Sequence, residues 1–159
     1  MDDRTNPLSD LEILPQPGDR SIQELLAYWT SKRGGRAVPL RTDIDPAELK
    51  EHLASLMMLD VIDGGRDFRY RLIGTTIAMM SGRDVTGATF SDLYAEQPDA
   101  LARVKTLFDP VVSRRRPVFA RGLMFWRPER DYRRFEAGYF PVSSDGDEVD
   151  ILLCEVRFP

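Results

Sequence analysis

Few side chains in this sequence could carry out chemistry. There is one histidine, His52, and one cysteine, Cys154. An internal disulfide, a cysteine-rich metal centre and a histidine cluster are therefore excluded, and no metal site is expected. Any Ser-His-Asp or Cys-His arrangement would have to be built on His52, which stands between Leu49 and Leu53 just ahead of an apolar run. There a structural or solvated imidazole is expected, with pH-linked tuning as the alternative. Cys154 lies between Leu153 and Glu155 in the last apolar run, which points to a packed or sheet-facing thiol, with a redox role as the alternative. Carboxylates pair at Asp43 with Asp45, Asp60 with Asp63 and Asp145 with Asp147. All fall at turns or helix starts, where aspartate caps backbone N–H groups, so they read as turn formers rather than general acids. Gly64-Gly65 joins two strand-like runs, whereas a phosphate loop leads from a strand into a helix. No catalytic residue and no enzymatic activity are expected.

Binding has better candidates. If helices lie over a sheet, Tyr70, Leu72, Met79, Phe90, Tyr94, Phe108, Phe119 and Tyr139 would line a cavity, with Arg83 or Arg121 as its polar contact. The alternative is that the same residues fill the core, each contributing roughly 1.5–3 kcal/mol when buried. A second set, Ile22, Leu25, Leu26 and Trp29, recurs at helical spacing and forms one apolar stripe. The strands Val118 to Trp126 and Phe135 to Val142 carry more apolar residues than one sheet face needs. The stripe is a partner-binding surface suited to cover the second face, in the same subunit or in another.

The elements that position these residues follow from length and pattern. A chain of 159 residues forms one domain with short additions and buries a real core. A hydrophobic fraction of 42% with 30% charged residues describes a soluble globular protein. No apolar run approaches the roughly 20 residues that span a bilayer, and the acidic, proline-containing start is unlike a secretory signal, so no membrane contact and a cytoplasmic location are expected. The net charge of −4 gives no global pull toward nucleic acid. Charge is nonetheless uneven, with ten basic against three acidic residues from Arg103 to Arg134 and six acidic against two basic from Met1 to Glu24. These ends either dock, within one chain or between two, or remain solvated faces screened over roughly 8–10 Å. The basic residues lie in no recognisable nucleic-acid module.

In chain order, residues 1–20 read as a flexible or loosely docked arm. Ser21-Ile22-Gln23-Glu24 forms a capping box that starts a helix, and Gly34-Gly35 stops it. Asp45-Pro46-Ala47-Glu48 starts a second helix, which runs through Leu49 and Leu53 into the first strand. Residues 21–54 thus form a helical extension to a domain covering 55–159. The stretch Leu56 to Ile62, the breaker cluster Asp63 to Asp67 and the alternating Phe68, Tyr70 and Leu72 predict a β-hairpin. Short helical turns follow to Tyr94. A longer helix starts at Pro98, with a kink or restart expected at Pro110, and ends at Arg114-Arg115-Arg116. Strands over Val118 to Trp126, Arg133 to Val142 and Val149 to Phe158 complete an α+β fold, five antiparallel strands with helices over one face.

This order of elements resembles the PAS domain, a small sensory module. The details are similar to short bacterial PAS proteins: Tyr28-Trp29 with Arg33-Gly34-Gly35, Asp43-Ile44-Asp45-Pro46, the strand from Asp67 to Thr75, and Gly82-Arg83-Asp84-Val85-Thr86-Gly87. The resemblance covers Ser21 to the C-terminus and implies strand order 2-1-5-4-3, with the sheet cupping a pocket beneath the helices. It supplies no ligand. Haem-binding relatives often use a histidine on the long central helix, and light-sensing relatives need a cysteine in the helical region. Neither residue is present there, so no cofactor is expected. With the last strand running to the final residues and no output domain following it, signalling is expected to pass through a small-molecule ligand, a signalling protein partner or assembly as a homodimer. An adaptor with a filled core, or a small pocket enzyme, is the alternative.

Overall fold

The computed structural model describes residues 11–82, 84–124 and 133–159. Its elements are β1 (Glu12–Leu14), α1 (Arg20–Arg33), β2 (Leu56–Ile62), β3 (Asp67–Ile73), α2 (Thr75–Ser81), α3 (Phe90–Leu93), α4 (Pro98–Arg114), β4 (Val118–Leu123), β5 (Arg134–Val142) and β6 (Ile151–Arg157). The strands form one antiparallel sheet in the order β1-β4-β5-β6-β2-β3. The five expected strands stand in the expected order. The sixth, β1, adds to the β4 edge and comes from the stretch read as an arm, where three residues are too short a run to show a period.

The hairpin forms where the glycines allow it. Gly64 and Gly65 take φ of 68° and 108° in a 3-10 turn over Asp63–Gly65, a region that side chains with a Cβ rarely enter. Along β3, Phe68 and Tyr70 are buried while Arg69 and Arg71 are exposed, as alternation demands. The register then shifts: Leu59 pairs with Tyr70 but Met58 pairs with Leu72, leaving Arg71 as the extra residue of a bulge. From there the strand's parity inverts.

Two cross-strand rows define the faces. Ile73, Met57, Cys154, Tyr139 and Val118 share the inner face, and Leu56, Glu155, Gly138 and Phe119 the outer. Helices α2, α3 and α4 bury Ile77, Phe90, Val104, Leu107, Phe108 and Val111 on the inner side. The outer side is closed by α1. A Cβ on Gly138 would stand 2.8 Å from Ile22 Cγ2, and the Trp29 ring lies 6.1 Å from Phe140 while its Nε1 donates to the Pro141 carbonyl at 2.8 Å. Helices thus lie on both faces, not one.

Local starts differ from expectation in two places. The cap of α1 is Asp19, whose Oδ1 accepts from Ser21 N at 2.8 Å and Ile22 N at 3.2 Å, because the Ser21 hydroxyl is drawn to Glu155 Oε2 at 2.7 Å. The segment after Asp45 keeps its cap, Asp45 Oδ1 accepting from Ala47 N at 3.0 Å. It is not one helix, however, but separate 3-10 turns over Pro46–Leu49 and Leu53–Ser55, and a further 3-10 turn over Arg41–Asp43 precedes it. Helix α4 continues as one element through Pro110, and Arg115 ends it at φ 55°.

The turns and the hairpin are pressed together at Gly74. A Cβ there would collide with the carbonyl oxygens of Leu53 and Ala54, backbone atoms that cannot rotate away. Gly74→Ala is expected to destabilise the fold by about 1–3 kcal/mol through overpacking, read as a lowered urea midpoint. An unchanged midpoint would show that the turns yield.

Candidate functional site

On the inner face, Tyr70, Phe90, Tyr94, Phe108 and Tyr139 meet around a cavity of about 40 Å³, closed further by Met57, Ile77, Ser81, Val104, Leu107 and Val156. The rings interlock. The Phe108 ring lies 4.9 Å from Tyr139, 5.0 Å from Phe68 and 5.8 Å from Phe90, centroid to centroid, and Tyr70 lies 4.7 Å from Phe90. Burial pushes the Tyr94 phenol up to about 12, holds Tyr70 and Tyr139 well above the usual phenol range, and raises the Cys154 thiol beneath them. The chamber is therefore uncharged at neutral pH. A cavity of about 40 Å³ holds roughly three waters at 10–15 Å³ each. Ligand sites begin near roughly 300 Å³.

The other residues expected around this chamber lie elsewhere. Leu72 is 48% exposed on the outer face because the Arg71 bulge inverted its parity. Met79 is 70% exposed, since α2 turns Ile77 inward instead. Phe119 pairs with Gly138 on the outer face and packs 5.8 Å from Phe140, while its neighbour Val118 holds the inner position opposite Tyr139. Arg121 shares that outer parity and binds Glu12 of β1 at 2.9 Å. Arg83 lies outside the described residues. The stripe proposed for a partner is taken up at home: Ile22, Leu25 and Trp29 are buried against the chain's own sheet, and Leu26 is half-buried.

A second concavity of about 400 Å³ lies on the outer side, under the turns that Tyr28 and Lys32 of α1 bind through Glu48. Its floor is Leu56, Met58, Leu72 and Leu153 from the sheet, its roof Ile44, Pro46, Leu49 and Leu53 from the 3-10 turns, and Arg41 and Arg71 supply its cations. Arg71 Nε is held by Asp60 Oδ1 at 3.0 Å. Among the described residues, Arg41 Nε is buried and has no hydrogen-bond partner. The sequence offered no signal for this groove, because three short turns have no period to read.

A polar cluster is buried between α1 and β6. Glu155, fully buried, accepts from Ser21 Oγ at 2.7 Å and Ser55 Oγ at 2.8 Å, with His52 Nδ1 at 3.1 Å. A serine, a histidine and an acid are thus together, yet Ser21 Oγ at 3.0 Å and Glu155 both face the same nitrogen, Nδ1. A nucleophile relay needs one partner on each ring nitrogen, so the cluster is a tie joining α1, the turn and the last strand. Its one legible trace is an acid at position 155 among apolar neighbours.

Among the described residues, no helix is long and apolar enough to cross a membrane, and no group of three or more histidine, cysteine, aspartate or glutamate side chains is placed to hold a metal ion. A family model for a PAS domain matches residues 18–152. No curated protein matches the chain.

Proposed function

Because the chain belongs to the PAS domain family, whose members are generally sensory or regulatory modules, we propose that it is a regulator without catalysis. It acts in the cytoplasm through a protein partner, and its interior is packed rather than built to enclose a ligand. The observation that carries this reading is the inner chamber of about 40 Å³, where interlocked rings occupy the space a ligand would need. Residues 21–54 serve as an extension closing the outer face of the domain at 55–159. Assembly as a homodimer belongs to the same proposal and is read by sedimentation equilibrium.

The test is an amide NMR titration with indole, a small aromatic that could enter only if the chamber opened beyond its present volume. Shifts at Tyr70, Tyr94 and Tyr139 are expected to stay within noise at millimolar indole. Saturable shifts there would overturn the packed-interior reading and make the chamber a sensor.

A further inference from the structure

The outer groove joins to an apolar floor and roof what the inner chamber lacks: ten times the volume and a buried donor without a partner among the described residues. Its size of about 400 Å³ falls within the roughly 300–1,000 Å³ of small-molecule sites. Two of its side chains, Leu53 and Leu72, are exposed at 40% and 48%, so apolar surface of the groove faces solvent.

Charge selects the occupant. Among the described residues, both titratable ones on the wall are arginines, and no carboxylate lines it. Asp60 holds Arg71, while the Arg41 Nε hydrogen is buried without an acceptor. Buried donors in native proteins are satisfied with few exceptions, and an unsatisfied one calls for a missing partner. A guanidinium whose buried Nε–H has no acceptor among the described residues, set beside an aliphatic wall, matches a planar carboxylate on an aliphatic tail, since Arg binds carboxylates through paired N–H donors. A dianionic phosphate would ask for more donors than the groove has free.

We propose that the groove between the 41–55 turns and the outer face of β2, β3 and β6 binds an amphiphilic monocarboxylate. Its carboxylate meets Arg41, and its tail lies on Leu56, Met58, Leu72 and Leu153. This site is separate from the packed interior and stands whether or not that reading holds.

The probe is decanoate below its micelle concentration, with decan-1-ol and decyl phosphate as controls, followed by calorimetry and by methyl NMR. Decanoate is expected to bind saturably and about tenfold or more tighter than decan-1-ol, the size of one charge-assisted hydrogen bond. Methyl shifts should fall on Leu53, Leu56, Met58, Leu72 and Leu153, not on residues of the inner chamber. Arg41→Gln should weaken binding about tenfold. If that variant folds poorly, Leu72→Asp, at an exposed position, should weaken decanoate binding by repulsion while leaving decan-1-ol binding less affected. Absence of saturable binding, equal affinity for the alcohol, tighter binding of decyl phosphate, or shifts confined to the inner chamber would each overturn the proposal.

Discussion

Replacing Phe108 with alanine is expected to lower the unfolding free energy by about 3–5 kcal/mol, the range for emptying a buried aromatic site. The ring is 2% exposed and touches Phe68, Phe90 and Tyr139, so it is the hub of the aromatic cluster. Its neighbours come from α3, β3 and β5, three elements fixed by separate hydrogen bonds, and they cannot all collapse toward the gap. Against a total stability of roughly 5–15 kcal/mol for a domain, such a loss removes a large share. The urea midpoint measures it. The hole would also merge with the existing space of about 40 Å³, so indole should now bind and raise the variant's midpoint by mass action. A loss below about 1 kcal/mol would mean that α4 slides in to fill the gap.

The second large effect is alkaline unfolding. Tyr94 rises from 10.0 to about 12 in the folded chain, while Tyr70 and Tyr139 lie well above their ordinary value and Cys154 well above 9.0, all through burial. Each group holds its proton longer when folded than when unfolded. Stability is therefore fully present below the unfolded values and falls as pH rises through them toward the folded ones. For Tyr94 the rise spans about two pH units, on the order of 3 kcal/mol; the other three groups act in the same direction. Urea midpoints should hold steady up to about pH 9 and then drop steeply by about pH 11, with phenolate absorbance appearing only as the chain unfolds. Phenolate absorbance rising while the fold stays intact would show that the chamber is open to water.

Much of the fold was legible because it rests on local signals. Two glycines marked the hairpin, period-two alternation marked β3, and the start at Pro98 with the end at Arg114-Arg115-Arg116 marked α4. The aromatic chamber was legible in the same way, through Tyr70, Phe90, Tyr94, Phe108 and Tyr139. What failed was parity and competition. Simple alternation put Leu72 beside Tyr70, but one extra residue in the strand sent it to the opposite face. Phe119 looks as suitable for the chamber as Val118, and only the pairing of β4 with β5 decides which of them points inward. Ser21 and Asp19 are equally good caps, and the choice fell to Asp19 because a carboxylate distant in sequence, Glu155, claimed the serine hydroxyl. These are non-local facts, and no window of sequence contains them.

Both margins of the sheet have consequences for recruitment. The β1 margin is three residues long and is followed by Pro15 and Pro17, which cannot donate a backbone hydrogen bond. At the β3 margin the 87–89 segment already occupies the ladder, with Tyr70 N donating to the Ala88 carbonyl at 3.0 Å and Gly87 N to the Tyr70 carbonyl at 2.7 Å. Among the described residues, neither side offers a long run of free amides and carbonyls. Strand addition, by which an extended peptide joins an open sheet, has little backbone to use here, and edge-to-edge aggregation is blunted for the same reason. Whatever docks on this domain must recognise it through side chains.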